Sequence, residues 1–421
     1  MSSGGRLLAL LLAAAVSGCA GASGEADDVC RAERVPDPVD AATWSLGVQV
    51  PDGSGGTVHA DVRWPDLTAN AGSWPIALVI QGTWSPVGTP VDRTTARVDP
   101  TAGIVSIHLD LPGNGRTPGT NDRRGAGSRA AVAAVLRWAA GDTADLGGCT
   151  LPERIPAAAP ERLFVVGTSN GGNLAVATLA DPEAALPPVA GLVAWETPAG
   201  PQFTNVELGA EPTVYTPGTC TYGGAVGIVC EMPADELVAV ESDGGTTLCF
   251  DRDGDGACGA PDVVVQGTED LDTGAIMLSP ALRRLAAARE LSLPGFASEE
   301  TAADWWAERD AARLAGALVA AQPELPILLL ASATDHVQTL PDHPHVFGLG
   351  EALQGAGAAW TRLNPGTAWL PELSEENPPN APLRLDDPTG SLVSEAAEEP
   401  LAELLAAAVL ELSERHQTGE W

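Results

Sequence analysis

The run Leu163-Phe164-Val165-Val166-Gly167-Thr168-Ser169-Asn170-Gly171-Gly172 has the residue types and the spacing for nucleophilic chemistry. Four apolar residues read as a strand that leads into Gly167-Thr168-Ser169-Asn170-Gly171, and the small residues Gly172 to Ala180 read as the helix that follows. G-x-S-x-G on such a turn is a nucleophile elbow. The serine backbone is strained there, and glycines on either side remove the Cβ atoms that would crowd it. The turn lifts the Ser169 hydroxyl above the sheet edge. The first helical N–H groups, starting with Asn170, point at the same spot and favour developing negative charge. A chain with 47 glycines also admits a plainer glycine-rich turn, but the strand before and the helix after favour the elbow.

A second constellation is built for a cation. Asp251-Arg252-Asp253-Gly254-Asp255-Gly256-Ala257-Cys258-Gly259-Ala260-Pro261-Asp262 puts carboxylates at the first, third, fifth and twelfth places of a loop. Gly256 supplies the sharp turn at the sixth place, and the Ala257 carbonyl is the seventh ligand position. Hard oxygens at this spacing wrap one Ca²⁺. Asp262 stands where Glu is usual, no helical pattern flanks the loop, and Pro261 lies inside it. It resembles an isolated extracellular calcium loop more than a paired EF-hand. Its expected role is structural, stiffening a cap with little apolar core; a metal-free acidic turn is the plainer alternative.

The N-terminus reads as a targeting segment. Arg6 precedes the ten-residue apolar run Leu7–Val16, too short to span a bilayer and fitting a signal h-region. Val16-Ser17-Gly18-Cys19 resembles a bacterial lipobox, which implies lipidation at Cys19 and a flexible tether from Ala20 to Gly24. A plain signal peptide cut near Ala20 is the alternative. Removing Cys19 leaves six cysteines, an even set that suggests disulfides in an exported chain. Local spacing favours Cys220–Cys230 and Cys249–Cys258, leaving Cys30–Cys149. The net charge of −34, with every one of the 22 basic residues an arginine, argues against nucleic-acid binding.

These residues need a scaffold. Residues 43–50 and 57–64 alternate apolar and polar around Asp52-Gly53-Ser54-Gly55-Gly56, a hairpin signal. Pro75–Gly82 and Gly103–Asp110 read as buried central strands. Ser128–Ala140 has helical spacing, and Val189–Trp195 is a further strand. Residues 200–275 are rich in Gly, Thr and Asp and read as an insert of short strands. Helices are predicted at Ser279–Glu290 and Glu299–Ala321, then strands at Leu325–Ala331 and Ala358–Leu363, a loop over 364–393 and a helix over Ser394–Arg415. Repeated β-α units imply a mostly parallel central sheet with helices on both faces.

This order resembles the α/β-hydrolase superfamily. Besides the elbow, Asp110-Leu111-Pro112-Gly113-Asn114-Gly115-Arg116-Thr117 looks like the family's D-x-x-G-x-G-x-S/T loop, and Gln81-Gly82-Thr83 stands at the oxyanion-loop position. The resemblance implies an α/β-hydrolase fold with an inserted cap subdomain. The divisions are 1–18 signal peptide, 19–42 tether and N-terminal segment, 43–199 first part of the core, 200–325 cap, and 326–421 second part. It implies an oxyanion hole from the N–H groups of Thr83 and Asn170. It also implies an acid at Asp335, after the strand at Leu325–Ala331, with Glu196 the runner-up.

The chain departs from the family in its histidines. None lies in residues 364–393, where the catalytic base belongs. His59 and His108 fall on early strands and read as structural, and His416 follows the last helix. His336, His343 and His345 cluster after Asp335, so His343 or His345 is the expected base, a structural turn or an adventitious metal site being the alternatives. The expectation is an exported serine hydrolase, lipid-anchored to the cell envelope (outer membrane or cell surface), that cleaves a carboxylic ester or amide through a Ser169 acyl-enzyme. No cofactor takes part in that chemistry. The rival is a catalytically silent hydrolase-fold surface lipoprotein with a binding or structural role.

Overall fold

The computed structural model describes residues 30–32, 35–37, 43–66, 73–82, 98–201, 214–215, 219–223, 227–242, 245–330, 344–363 and 401–421. The first of these form β1 (Val35–Pro36), the hairpin of β2 (Thr43–Pro51) and β3 (Thr57–Pro65), β4 (Trp74–Ile80), β5 (Val105–Leu109), α1 (Ala126–Ala140) and α2 (Leu151–Arg154). Then come β6 (Ala158–Thr168), α3 (Asn170–Leu179) and β7 (Gly191–Trp195). The insert contributes β8 (Thr221–Gly223), β9 (Gly227–Val229), β10 (Leu237–Ser242), β11 (Gly245–Phe250), β12 (Val263–Val264), β13 (Thr268–Glu269), β14 (Ile276–Met277), α4 (Pro280–Ala288) and α5 (Glu299–Ala307). Helix α6 (Ala311–Ala321), β15 (Pro326–Leu330), α7 (Pro344–Gly355), β16 (Trp360–Leu363) and α8 (Leu401–Thr418) follow.

Nine strands make one sheet in the order β1-β2-β3-β5-β4-β6-β7-β15-β16. The pairs from β5 to β16 run parallel, and β1, β2 and β3 add an antiparallel edge. Continuous apolar runs bury the central strands on both faces, as a parallel sheet covered by helices requires. Along β4, Ile76, Leu78 and Ile80 join one apolar cluster with residues of α1, α3, α6 and α7. The alternate residues Ala77 and Val79 join a second, with Leu404, Leu405, Val409 and Leu412 of α8. Each of these Val, Leu and Ile side chains contributes about 1.5–3 kcal/mol on burial. This is an α/β-hydrolase fold: a mostly parallel, helix-covered sheet, the serine elbow between β6 and α3, and an excursion of the chain after β7.

The structure differs from the expectation in several places: α2 and α7 have no predicted counterpart, and His345, expected in a proline-stiffened turn, lies in the first turn of α7. The helix predicted over Glu299–Ala321 is two helices, α5 and α6, divided at Glu308-Arg309-Asp310. Asp310 caps α6, its side chain accepting the Ala312 N–H at 3.2 Å, and the buried carboxylate ends one helix and starts another. The insert also holds its own small apolar core, with Leu237, Leu248, Phe250, Val263, Leu278 and Leu282 buried together. Leu237 of β10, Leu248 and Phe250 of β11, Val263 of β12 and Leu282 of α4 converge there.

Disulfides join Cys30 to Cys149, Cys220 to Cys230 and Cys249 to Cys258, the expected pairs. Cys19 and the targeting segment lie outside the described residues, as do Thr83, Asp335, His336, His343 and residues 364–400. Among the described residues no helix is long and apolar enough to cross a membrane.

Candidate functional site

Ser169 sits at the tip of the β6–α3 turn with φ 52° and ψ −128°. This is backbone that a residue with a Cβ adopts only when its surroundings impose it. Its N–H donates to the Trp195 carbonyl at 2.8 Å, and its own carbonyl accepts the Gly172 N–H at 2.9 Å. The turn is closed on all sides. A Cβ on Gly167 would lie 2.5 Å from the Gly172 Cα, one on Gly171 would strike the Ile80 carbonyl, and one on Gly172 would strike the Thr197 hydroxyl. These contacts explain why glycine occupies all three positions.

The exit of β4 passes directly against this turn. A Cβ on Gly82 would come within 2.6 Å of the Ser169 Cβ and 2.7 Å of the Asn170 nitrogen. Gly82 thus lies beside the serine and the first N–H of α3. Gln81, one residue earlier, is buried, and its Nε2 has no partner among the described residues.

Glu196 stands across from Ser169. Thr168 of β6 pairs with Trp195 of β7, so the residues after them occupy adjacent strand ends. Glu196 is fully buried with φ 41°, and its N–H donates to the Leu330 carbonyl of β15 at 2.8 Å. Ser169 and Glu196 are thus two non-glycine residues in the left-handed region on neighbouring strand ends.

Of the histidines singled out, His345 lies in the first turn of α7 and is fully buried. His108 is buried on β5 and shares a 3.0 Å hydrogen bond with the Ser106 hydroxyl, a structural pairing. His416 is exposed near the end of α8. The Asp110–Thr117 loop ties strands together: Asp110 accepts the Arg116 N–H and Nε, each at 3.0 Å, and the Thr117 hydroxyl accepts the His59 N–H at 2.9 Å.

One contact at the site had no counterpart in the sequence motifs. An Arg124 Nη1 donates to the Asn170 Oδ1, which also takes an N–H from Asn173 at 3.5 Å. Asn173 in turn holds the Pro198 carbonyl at 3.3 Å and accepts the Ala311 N–H at 2.9 Å. The residues after Ser169 are thereby tied to α6 and to the start of the insert. The only sequence signal was the run Arg123-Arg124 beside a glycine.

In the insert, oxygens of Asp251, Asp253, Asp255 and Asp262 all lie within 4.8 Å of one another. Loop N–H groups orient them: Gly254 and Gly256 donate to Asp251, Ala257 to Asp255, and Arg252 to Asp262, each at 2.8–2.9 Å. The N–H groups of Gly259 and Arg252 hold the Asp262 carboxyl below the ordinary carboxylate range. A ring of four hard oxygen donors fits a calcium-sized cation.

No protein-family model matches the chain, and no curated protein matches it. Solved structures that it resembles include a thermostable esterase from Pseudomonas putida, at 11% identity over 88% of this chain and 83% of that one, with a TM-score of 0.41. A hypothetical protein from Pseudomonas aeruginosa gives 13% identity over 89% and 96%, with a TM-score of 0.39. Vibralactone cyclase gives 11% over 90% and 82%, also with a TM-score of 0.39.

Proposed function

We propose that the protein is a serine hydrolase that cleaves a carboxylic ester or amide through an acyl-enzyme on Ser169. The observation that carries this is the Ser169 backbone, held at φ 52° and ψ −128° by glycine contacts on every side at the head of a helix. Strain of about 1–3 kcal/mol persists only where the surroundings over-determine it, and it clusters at reactive positions.

In the mechanism, the Ser169 hydroxyl attacks the substrate carbonyl carbon and its proton passes to a histidine. The tetrahedral oxyanion lies against the N–H groups of Asn170 and Thr83, and collapse expels the alcohol or amine as the histidine returns the proton. Water then repeats the sequence on the acyl-enzyme. The base comes from the 343–345 segment, His343 or His345, oriented by Asp335, with Glu196 as the alternative acid. Residues of the insert lie over the elbow and set substrate choice.

The same reading makes the chain an exported lipoprotein anchored through Cys19. It makes the Asp251–Asp262 loop a structural Ca²⁺ site with Asp251, Asp253, Asp255, Asp262 and the Ala257 carbonyl as ligands. Calcium there would neutralise converging carboxylates and brace the insert, and it takes no part in the hydrolysis.

Fluorophosphonate labelling of protein lacking residues 1–19 tests the chemistry. The expected result is a labelled wild type and no label in Ser169→Ala, with His343→Ala or His345→Ala reducing labelling by at least about a hundred-fold. A folded, calcium-loaded wild type that takes no label would overturn the reading in favour of the silent, binding role.

A further inference from the structure

We propose that Arg124 is a receptor for a carboxylate carried by the substrate, so that the enzyme acts on half-esters of dicarboxylic acids or similar anionic acyl compounds. This inference rests on the Ser169 reading above for its chemistry, though not for its binding.

Arg124 is partly exposed, and among the described residues it has two contacts, the Asn170 side chain and the Trp306 ring, 5.5 Å from its guanidinium carbon. Asn170 follows the nucleophile in sequence, so the guanidinium is joined to the residue next to Ser169. A guanidinium has five N–H donors in a planar fork, and only one is used here. Neither contact neutralises the charge.

Among the described residues no carboxylate is hydrogen-bonded to Arg124, and the buried Asp310 is the acid whose charge acts on it. The Asp122 carboxylate takes the N–H groups of Gly125, Gly127 and Ser128 and the Ser128 hydroxyl at the head of α1. Glu308 lies 3.7 Å from Arg309 and 3.9 Å from Arg129. Asp310 takes the N–H groups of Gly200 and Ala312 on a single oxygen and attracts Arg124 without a hydrogen bond to it.

Positive charge is instead concentrated. Arg309 stacks 4.2 Å from the Trp305 ring centre and donates to the Arg123 carbonyl at 3.1 Å, which brings it to the Arg123-Arg124 segment. Burial, followed by the repulsion of Arg309 and opposed in part by the attraction of Asp310, pushes the Arg124 pKa down to about 10. Arg123 and Arg124 also sit at φ 51° and 72°, consecutive non-glycine residues in the left-handed region. In a chain of net charge −34, crowded guanidinium groups beside the nucleophile run against the average. A carboxylate fits the free fork of Arg124 in bidentate geometry and relieves that crowding.

Binding and turnover test this separately. Ser169→Ala is melted with monomethyl glutarate and with methyl pentanoate. The wild type is assayed on p-nitrophenyl hemiglutarate and p-nitrophenyl pentanoate, with fluorophosphonate labelling alongside. The half-ester is expected to raise the melting temperature of Ser169→Ala where the neutral ester does not, and Arg124→Met in that background is expected to abolish the shift. In turnover, Arg124→Met lowers the ratio of kcat/KM for the anionic over the neutral ester about ten- to a hundred-fold. Arg124→Lys, which keeps the charge without the fork, retains an intermediate ratio, and cooperative melting of both variants establishes that they fold. No half-ester shift in Ser169→Ala overturns the proposal, and so does an equal loss on both esters in Arg124→Met, which would mark Arg124 as a prop for Asn170. Labelling without the shift sinks this proposal and leaves the Ser169 reading standing. The shift without labelling does the reverse.

Discussion

The turn at Ser169 and the loop at Asp251–Asp262 are both tight, glycine-bearing segments that organise backbone N–H groups, yet they are held by opposite means. The elbow is walled by neighbouring backbone and core: Gly171 meets the Ile80 carbonyl, and Gly172 meets Thr197. The Asp251–Asp262 loop is mostly exposed, and the positions where a Cβ could be added to Gly254 or Gly256 meet nothing. Its form comes from its own carboxylates and from the Cys249–Cys258 bridge. One segment takes its shape from the fold around it, whereas the other carries its determinants within itself. The first should respond to steric change and the second to ions and redox conditions.

The largest effect is expected at the elbow. Gly171→Ala places a methyl on the Ile80 carbonyl, a backbone atom that cannot swing aside, and should cost about 3 kcal/mol or more and abolish labelling. Urea denaturation measures the cost. A loss under about 1 kcal/mol would show the elbow to be no more constrained than the exposed loop.

Next comes the exposed loop. Replacing Cys249 and Cys258 by alanine opens a short crosslinked loop and should cost about 2–3 kcal/mol. Chelation should remove a similar amount when calcium had been present at about a hundred times its Kd. Asp251→Asn should make the protein indifferent to chelator. Calorimetry with and without calcium reads both, and a chelator-insensitive wild type would leave the loop a metal-free acidic turn.

The smallest effect tests the seam between insert and core. Burial raises the Asp310 carboxyl above its ordinary range, opposed in part by the N–H groups of Gly200 and Ala312. The folded state therefore holds this proton to higher pH than the unfolded chain. Its contribution to stability is greatest at low pH and falls as pH rises from the unfolded value of about 4 through the folded one. Asp310→Asn keeps the capping oxygen and removes the charge. It should change stability at pH 7 by less than about 1 kcal/mol while flattening that fall, as melting curves taken across pH would show.

What could be read from the sequence follows from how local each rule is. Gly167, Ser169 and Gly171 lie within five residues, so the elbow was legible from spacing, as were the calcium-type loop and the two short disulfides. The division of α5 from α6 was not, because apolar residues continue on both sides of Glu308–Asp310; the capping side chain of Asp310 was the signal that pattern obscured. The Arg124–Asn170 contact joins residues 46 apart, and no periodicity or motif links them. Glu196 was visible only as the last residue of a strand, and its place opposite Ser169 is a matter of sheet register.

The Cys30–Cys149 bridge spans 119 residues and fastens the N-terminal end to the connection between α1 and α2. It defines a path for mechanical load. Tension applied to the segment before Cys30 passes through the sulfur bond to Cys149 and bypasses β1 and β2, the edge strands that would otherwise be the first to peel. The edge strands β1 to β3 therefore sit on the slack side of that bond, whereas β6 and the serine turn, which follow Cys149, stay on the loaded path.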